Sequence, residues 1–197
     1  LMTVDNPTIP EESGVPTITP LLSNPSTQDI TIILALAGTA TQDSDYTIVT
    51  ETITVSAGDT LNSTILTAVT DTIFEGDETV IIDIISVTNA MEDGSQQQTV
   101  TIADDDGLPT VTLRLDTATI AETSGVSTLT ATLGNPSTQD VTITLALSGS
   151  AIQDTDYAIS TETITITAGE TRSTSTVTAT DDLVFEGDET IILDIID

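Results

Sequence analysis

The sequence predicts an all-β protein built as two tandem antiparallel sandwiches. Three observations predict it: the chain repeats at one fixed offset, its apolar residues alternate with a period of two, and turn residues separate the alternating runs. Asn24-Pro25-Ser26-Thr27-Gln28-Asp29 returns as Asn135-Pro136-Ser137-Thr138-Gln139-Asp140. Asp45-Tyr46 returns as Asp156-Tyr157, and Phe74-Glu75-Gly76-Asp77-Glu78 as Phe185-Glu186-Gly187-Asp188-Glu189. Every pair is 111 residues apart (24 to 135, 45 to 156, 74 to 185), the length of a domain rather than of a solenoid repeat. The first domain is read as 1–106 and the second as 107–197. The second has no counterpart of Gln96–Asp106, the last strand of the first. The linker Gly107-Leu108-Pro109 is too short to act as a flexible tether.

Within each copy the strands follow from alternation. Ile30, Ile32, Leu34 and Leu36 alternate with Thr31, Ile33 and Ala35, as Val141, Ile143, Leu145 and Leu147 do with Thr142, Thr144 and Ala146. Ile53 and Val55 match Ile164 and Ile166; Val80, Ile82 and Ile84 match Ile191, Leu193 and Ile195; Val100 and Ile102 close the first copy. Such runs are half-buried strands, with Thr on the outward positions where a β-branched polar side chain suits a pleated surface. Ser23-Asn24-Pro25, Ala57-Gly58-Asp59 and Gly76-Asp77 supply turns. No segment has helical periodicity. About seven strands in roughly a hundred residues is the pattern of an immunoglobulin-like sandwich. Aromatic residues are 2% of the chain, so its core must be aliphatic.

Composition excludes several functions. Arg114 and Arg172 are the two basic side chains, against 32 carboxylates and no His, for a formal net charge of −30. Nothing neutralises phosphate, which excludes nucleic acid and anionic membrane surfaces as partners. No apolar run approaches the length of a membrane span. With no Cys, Lys or His to activate a nucleophile, and no aromatic platform for a sugar, the chain reads as a non-enzyme. It begins at Leu1 and ends inside a strand pattern, so it is expected to be a piece of a longer protein.

The carboxylates gather at strand ends. In the first copy they are Glu11, Glu12, Asp43, Asp45, Asp71, Glu75, Asp77, Glu78 and Asp104 to Asp106. In the second they are Glu122, Asp154, Asp156, Asp181, Asp182, Glu186, Asp188 and Glu189. Sandwich topology sends these loops to one end, where about eight carboxylates would converge without a basic partner. Ca²⁺ takes about 6–8 oxygen ligands in flexible geometry and fits such a rim; Zn²⁺ prefers His and Cys. The alternative is an acidic rim that stays solvated. Asp43, Asp77, Asp154 and Asp188 read as outward-facing or turn-forming. Tyr46, Tyr157, Phe74 and Phe185 adjoin the clusters and read as packing anchors for their loops.

These motifs resemble the Calx-β domain. The first copy has Gly38-Thr39-Ala40, Asp45-Tyr46, Gly58-Asp59, Asp71-x-x-Phe74-Glu75-Gly76-Asp77-Glu78 and Asp104-Asp105-Asp106. The second has Gly149-Ser150-Ala151, Asp156-Tyr157, Gly169-Glu170 and Asp181-Asp182-x-x-Phe185-Glu186-Gly187-Asp188-Glu189. The resemblance spans essentially the whole chain and implies Ca²⁺ at the distal loops. It implies as ligands Glu11, Asp45, Asp71, Glu75, Glu78, Asp104, Asp105, Asp106 and the carbonyl of Ile73. In the second copy it implies Glu122, Asp156, Asp181, Asp182, Glu186, Glu189 and the carbonyl of Val184. Thr70 stands where the second copy has Asp181, and the second copy lacks the terminal Asp triplet, so weaker Ca²⁺ binding is expected there.

The expected role is a Ca²⁺-binding segment of a large secreted or cell-surface protein, serving adhesion or as a stalk. Ca²⁺ would order the loops and stiffen the junction. Its partners would be calcium ions, neighbouring domains of the same array and an extracellular protein or glycan, without membrane insertion. The alternatives are a Ca²⁺ sensor attached to a transporter or enzyme, and a metal-free spacer. The incomplete second sheet is expected to leave an open edge for another chain.

Overall fold

Alternating aliphatic residues form strands throughout the chain. The computed structural model describes residues 1–184 and 187–196. It divides into two compact units, Leu1–Asp71 with Glu75–Asp106, and Gly107–Asp197 with Thr72–Phe74. Among the described residues there is no helix.

The first unit contains β1 (Met2–Val4), β2 (Thr8–Pro10), β3 (Thr17–Pro20), β4 (Ile30–Gly38), β5 (Tyr46–Ile48), β6 (Thr52–Val55), β7 (Thr64–Ala68), β8 (Glu78–Thr88) and β9 (Gln97–Ala103). One sheet runs β1-β3-β7-β5, the other β2-β9-β8-β4-β6. Nine strands stand where about seven were expected. The edge segment splits: β1 pairs antiparallel with β3 in one sheet, and β2 crosses to pair parallel with β9 in the other. Ile30, Ile32 and Leu34 point inward with Ile53, Val80, Ile82, Val100 and Ile102, so the even-numbered face of β4 is the core face. Each such side chain contributes roughly 1.5–3 kcal/mol of burial. The register of β4 on β8 slips between Ile33 and Leu34, which leaves Ile85 without a paired residue on β4, and its side chain is exposed.

The second unit repeats the plan with β10 (Val111–Leu115), β11 (Val126–Leu133), β12 (Val141–Gly149), β13 (Tyr157–Ile159), β14 (Thr163–Ile166), β15 (Arg172–Ala179) and β16 (Ile191–Ile195). Its sheets run β10-β11-β15-β13 and β14-β12-β16. Leu129, Ala131, Ile143, Leu145, Ile164 and Ile166 form its core. Strands equivalent to β2 and β9 are absent among the described residues.

The repeated block Asn24–Asp29 has a structural task. Ser26 accepts the Gly58 N–H on its carbonyl and Asp29 accepts the Ala57 N–H, which clamps the β3–β4 loop to the turn after β6. Ser137 and Asp140 hold Gly169 and Ala168 in the same way.

Candidate metal centre

The β4–β5 loop of the first unit begins at Gly38, whose φ of 126° lies in the left-handed region. A Cβ there would collide with the Thr79 carbonyl oxygen, so only glycine lets the loop lie this close to β8. Ala40 N–H donates to that same carbonyl, and Thr79 N–H donates to Thr39 Oγ1. Asp43 then takes a left-handed turn (φ 71°) and returns the chain. Asp45 Oδ2 accepts the Thr41 N–H at 2.5 Å, while Asp45 N–H donates to Thr41 O. Asp45 is thereby 8% exposed, and Tyr46 beside it is 3% exposed in the core. The sequence reading of Asp43 as a turn former and Tyr46 as an anchor matches this geometry.

Three other chain segments converge on this carboxylate. Glu11, 6% exposed, follows β2 and accepts the Asp71 N–H on Oε1 at 2.8 Å. Asp104, after β9, accepts the N–H groups of Glu75 and Gly76 on Oδ2 at 3.0 and 2.6 Å. Asp106 N–H donates to Asp104 Oδ1, and Asp77, itself exposed, accepts the Asp104 N–H. Two groups of carboxylate oxygens result: Glu11 with Asp104 and Asp106, and Asp45 with Glu75 and Glu78. Within each group the oxygens lie within 4.8 Å of one another. A cavity of about 10 Å³ sits among Glu11, Asp45, Glu75, Glu78 and Asp104.

Six acids at this spacing oppose their own ionisation. Glu75 is pushed up to about 7 by burial and then by the charges of Asp45 and Asp71. Glu78 is also pushed up to about 7, by burial first and then by its hydrogen bond and charge interaction with Asp45. Burial raises Glu11 above the usual carboxylate range despite the Asp71 N–H, and raises Asp106 together with the charges of Asp104 and Asp105. Residues 1–106 contain no Lys, Arg or His to relieve this.

The donor set fits Ca²⁺. Ligands at 2.3–2.6 Å from one ion are separated by at most about 5 Å, the spacing seen in each group. Asp106 Oδ2 is buried with no hydrogen-bond partner, an acceptor left for a cation. All-oxygen, mixed carboxylate donors suit a hard, flexible ion. When bound, such an ion supplies positive charge, and Glu11, Asp45, Glu75, Glu78, Asp104 and Asp106 would hold it.

The other expected ligands are placed differently. Asp71 and Asp105 are exposed at the edge of the group and act on it through charge. Ile73 groups with the second unit by its contacts. In the second unit the loop that carries Asp156 is built as before: Asp154 is left-handed (φ 65°) and Asp156 Oδ2 accepts the Ile152 N–H at 2.6 Å. Yet Glu122, Asp181, Asp182, Val184 and Glu189 are all exposed, and the only gathered acidic groups among the described residues are in the first unit. Glu186 and Phe185 lie outside the described residues. Sequence reasoning did not single out Thr41, or the Glu75 and Gly76 amides that orient Asp104; the four-residue spacing from Thr41 to Asp45 is the one available signal.

Fold and site together define an immunoglobulin-like β-sandwich module with a carboxylate-lined cation site. The family description "Calx-beta domain" matches residues 1–106 and again 104–196, so the chain belongs to the Calx-beta family, as two domains in tandem. Calx-beta domains are calcium-binding modules. No curated protein sequence matches the chain. Among solved structures it is similar to the calcium binding domain CBD12 of CALX1.1, at 16% identity over 93% of this chain and 77% of that one, TM-score 0.48. It is also similar to CBD12 from CALX1.2, at 14% identity over 90% and 74%, TM-score 0.46. A third likeness is to the CupB2 chaperone of Pseudomonas aeruginosa, at 8% identity over 98% of both chains, TM-score 0.36.

Proposed function

We propose that this chain is a Ca²⁺-loaded tandem segment of a large secreted or cell-surface protein, serving as a stalk or in adhesion. The observation that carries this is the six-carboxylate group of the first unit, formed in a stretch of 106 residues with no basic side chain. A net charge of −30 on the chain favours expansion, and bound cations offset it. Ca²⁺ held by Glu11, Asp45, Glu75, Glu78, Asp104 and Asp106 ties together segments that are up to 95 positions apart in sequence (residues 11 and 106). Asp71 and Asp105 complete the shell from its exposed edge. Because Asp104–Asp106 runs directly into Gly107, ion binding orders the start of the linker as well.

An ion that binds only the folded form stabilises it by RT ln(1 + [L]/Kd), about 2.7 kcal/mol at a hundredfold excess over Kd. The test is thermal unfolding of the whole chain across a Ca²⁺ titration, with Mg²⁺ and chelator as controls. A rise saturating near millimolar Ca²⁺, as in extracellular modules, supports the stalk. Saturation at micromolar Ca²⁺ with a large conformational response would point instead to a sensor. No Ca²⁺-specific rise would leave the rim a solvated surface.

A further inference from the structure

Both arginines of the chain lie on one sheet face of the second unit. In the sheet β10-β11-β15-β13, Leu129, Ala131, Leu133 and Val177 are buried, so the odd-numbered side chains of these strands face the core and the even-numbered ones face outward. Arg114 stands opposite Thr130, which stands opposite Thr174. In the next row Thr112 stands opposite Thr132, which stands opposite Arg172. The two arginines are thus two strands and two residues apart, about 12 Å between Cβ positions at ordinary sheet spacings. Both are exposed. Among the described residues no protein group engages either guanidinium, although the chain carries 32 carboxylates. The four strands of this sheet contain no Asp or Glu. Asp116, just beyond β10, is occupied by the Thr128 N–H and the Ser127 hydroxyl. The matching sheet of the first unit has Thr3 and Leu61 at the positions of Arg114 and Arg172, and Leu1 and Leu21 at those of Thr112 and Thr132. That sheet forms with the same strand plan, so the arginines are not needed to build it.

We propose that this face binds an acidic glycan in which carboxylated sugars alternate with neutral ones. The proposal rests on the adhesion reading above and names the ligand class for it. Each guanidinium presents a planar fork of donors that matches a carboxylate bidentately. Thr130 and Thr132 lie between the arginines, and their hydroxyls both donate and accept, as sugar hydroxyls do. A protein partner would need an apolar centre to its interface, and the ground between Arg114 and Arg172 offers threonine alone. The charge pattern selects the kind of glycan. Two separate cations suit separate carboxylates, whereas a polymer charged at every unit is repelled by a chain of net charge −30.

The experiment uses the full chain at about 0.15 M salt, which screens its net charge. Chelator is present, so that no cation bridges carboxylates of glycan and protein. The probes are a hexasaccharide of alternating glucuronate and N-acetylglucosamine, a neutral N-acetylglucosamine hexamer and a hexaglutamate peptide. Binding is read from backbone amide chemical shifts. The acidic hexasaccharide is expected to shift amides within residues 112–116, 128–132 and 172–176, and the neutral hexamer to shift none. The double variant Arg114→Gln/Arg172→Gln is expected to bind at least about tenfold more weakly with an unchanged melting temperature, because both side chains are exposed. Arg114→Lys/Arg172→Lys keeps the charge without the fork and falls between the two. Absence of binding, equal binding of the neutral hexamer, undiminished binding of the glutamine variant, or shifts elsewhere overturns the proposal. Equally tight binding of hexaglutamate makes an acidic peptide the occupant and overturns the glycan named here. The calcium reading fails separately: a chain that binds the glycan in chelator but shows no Ca²⁺-dependent rise in melting temperature refutes that reading and supports this one.

Discussion

Neutralising Glu75 and Glu78 together separates the electrostatics of the acidic group from its cation binding. Both carboxyls titrate near 7 in the folded chain against an ordinary value of 4.5. A folded-state value above the unfolded one means that the folded form holds its protons more tightly. Stability is then greatest below about 4.5 and falls as pH rises through about 7. The shift corresponds to roughly 3 kcal/mol per group at 1.36 kcal/mol per pH unit. Both side chains keep contact with solvent and each feels the other's charge, so about 2 kcal/mol is the value for the pair. The double variant Glu75→Gln/Glu78→Gln is fixed in the uncharged form. In chelator at pH 8 its first unit is expected to melt about 10 °C above the parent. At pH 4.5 the difference disappears. In saturating Ca²⁺ the order reverses, because the parent gains from the ion and the variant has lost two ligands. Tyr46 absorbance in a Tyr157→Phe background reports the first unit alone. A variant that melts at or below the parent in chelator at pH 8 would refute the repulsion. A variant that gains as much from Ca²⁺ as the parent would refute the ligand assignment.

Other expectations follow from the same geometry. Calcium binding at pH 7 displaces about one proton in total from Glu75 and Glu78, each then half-protonated; titration calorimetry in buffers of different ionisation enthalpy measures this. Asp45→Ala removes a ligand and leaves the Thr41 N–H without its acceptor. It is expected to abolish the first unit's Ca²⁺-dependent rise in melting temperature and to cost about 1–3 kcal/mol in chelator, read from denaturant unfolding. Gly38→Ala forces a side chain into the Thr79 carbonyl at positive φ and lowers the first unit's Ca²⁺ affinity, whereas Gly149→Ala, in the equivalent clash with Thr190, leaves that affinity intact. Calcium titration of the whole chain should fill the first unit before the second, and the tight phase should vanish in Asp45→Ala.

The sequence by itself determined the duplication, the aliphatic strands and the acidic residue set, because each is written in local order. Alternation along β4 decides which face of Ile30, Ile32 and Leu34 is buried, whatever lies opposite. The absence of Lys, Arg and His from residues 1–106 likewise needs no structure. Tertiary structure decided which acids meet. Glu11 is 60 positions from Asp71, and Glu75 is 29 from Asp104, so their contacts depend on long-range pairing of β2, β8 and β9. The splitting of the first edge segment into β1 and β2 was also invisible in the pattern: Met2 and Ile9 are both fully buried, yet their strands serve different sheets. The second unit makes the point most directly. It has the same Asp-Tyr loop and the same left-handed turn, yet among the described residues its acids form no close group and no strand equivalent to β9 lies in its sheets. Carboxylate identity is a property of the chain, but a cation site is a property of distances. Those distances are set only when strands far apart in sequence lie side by side.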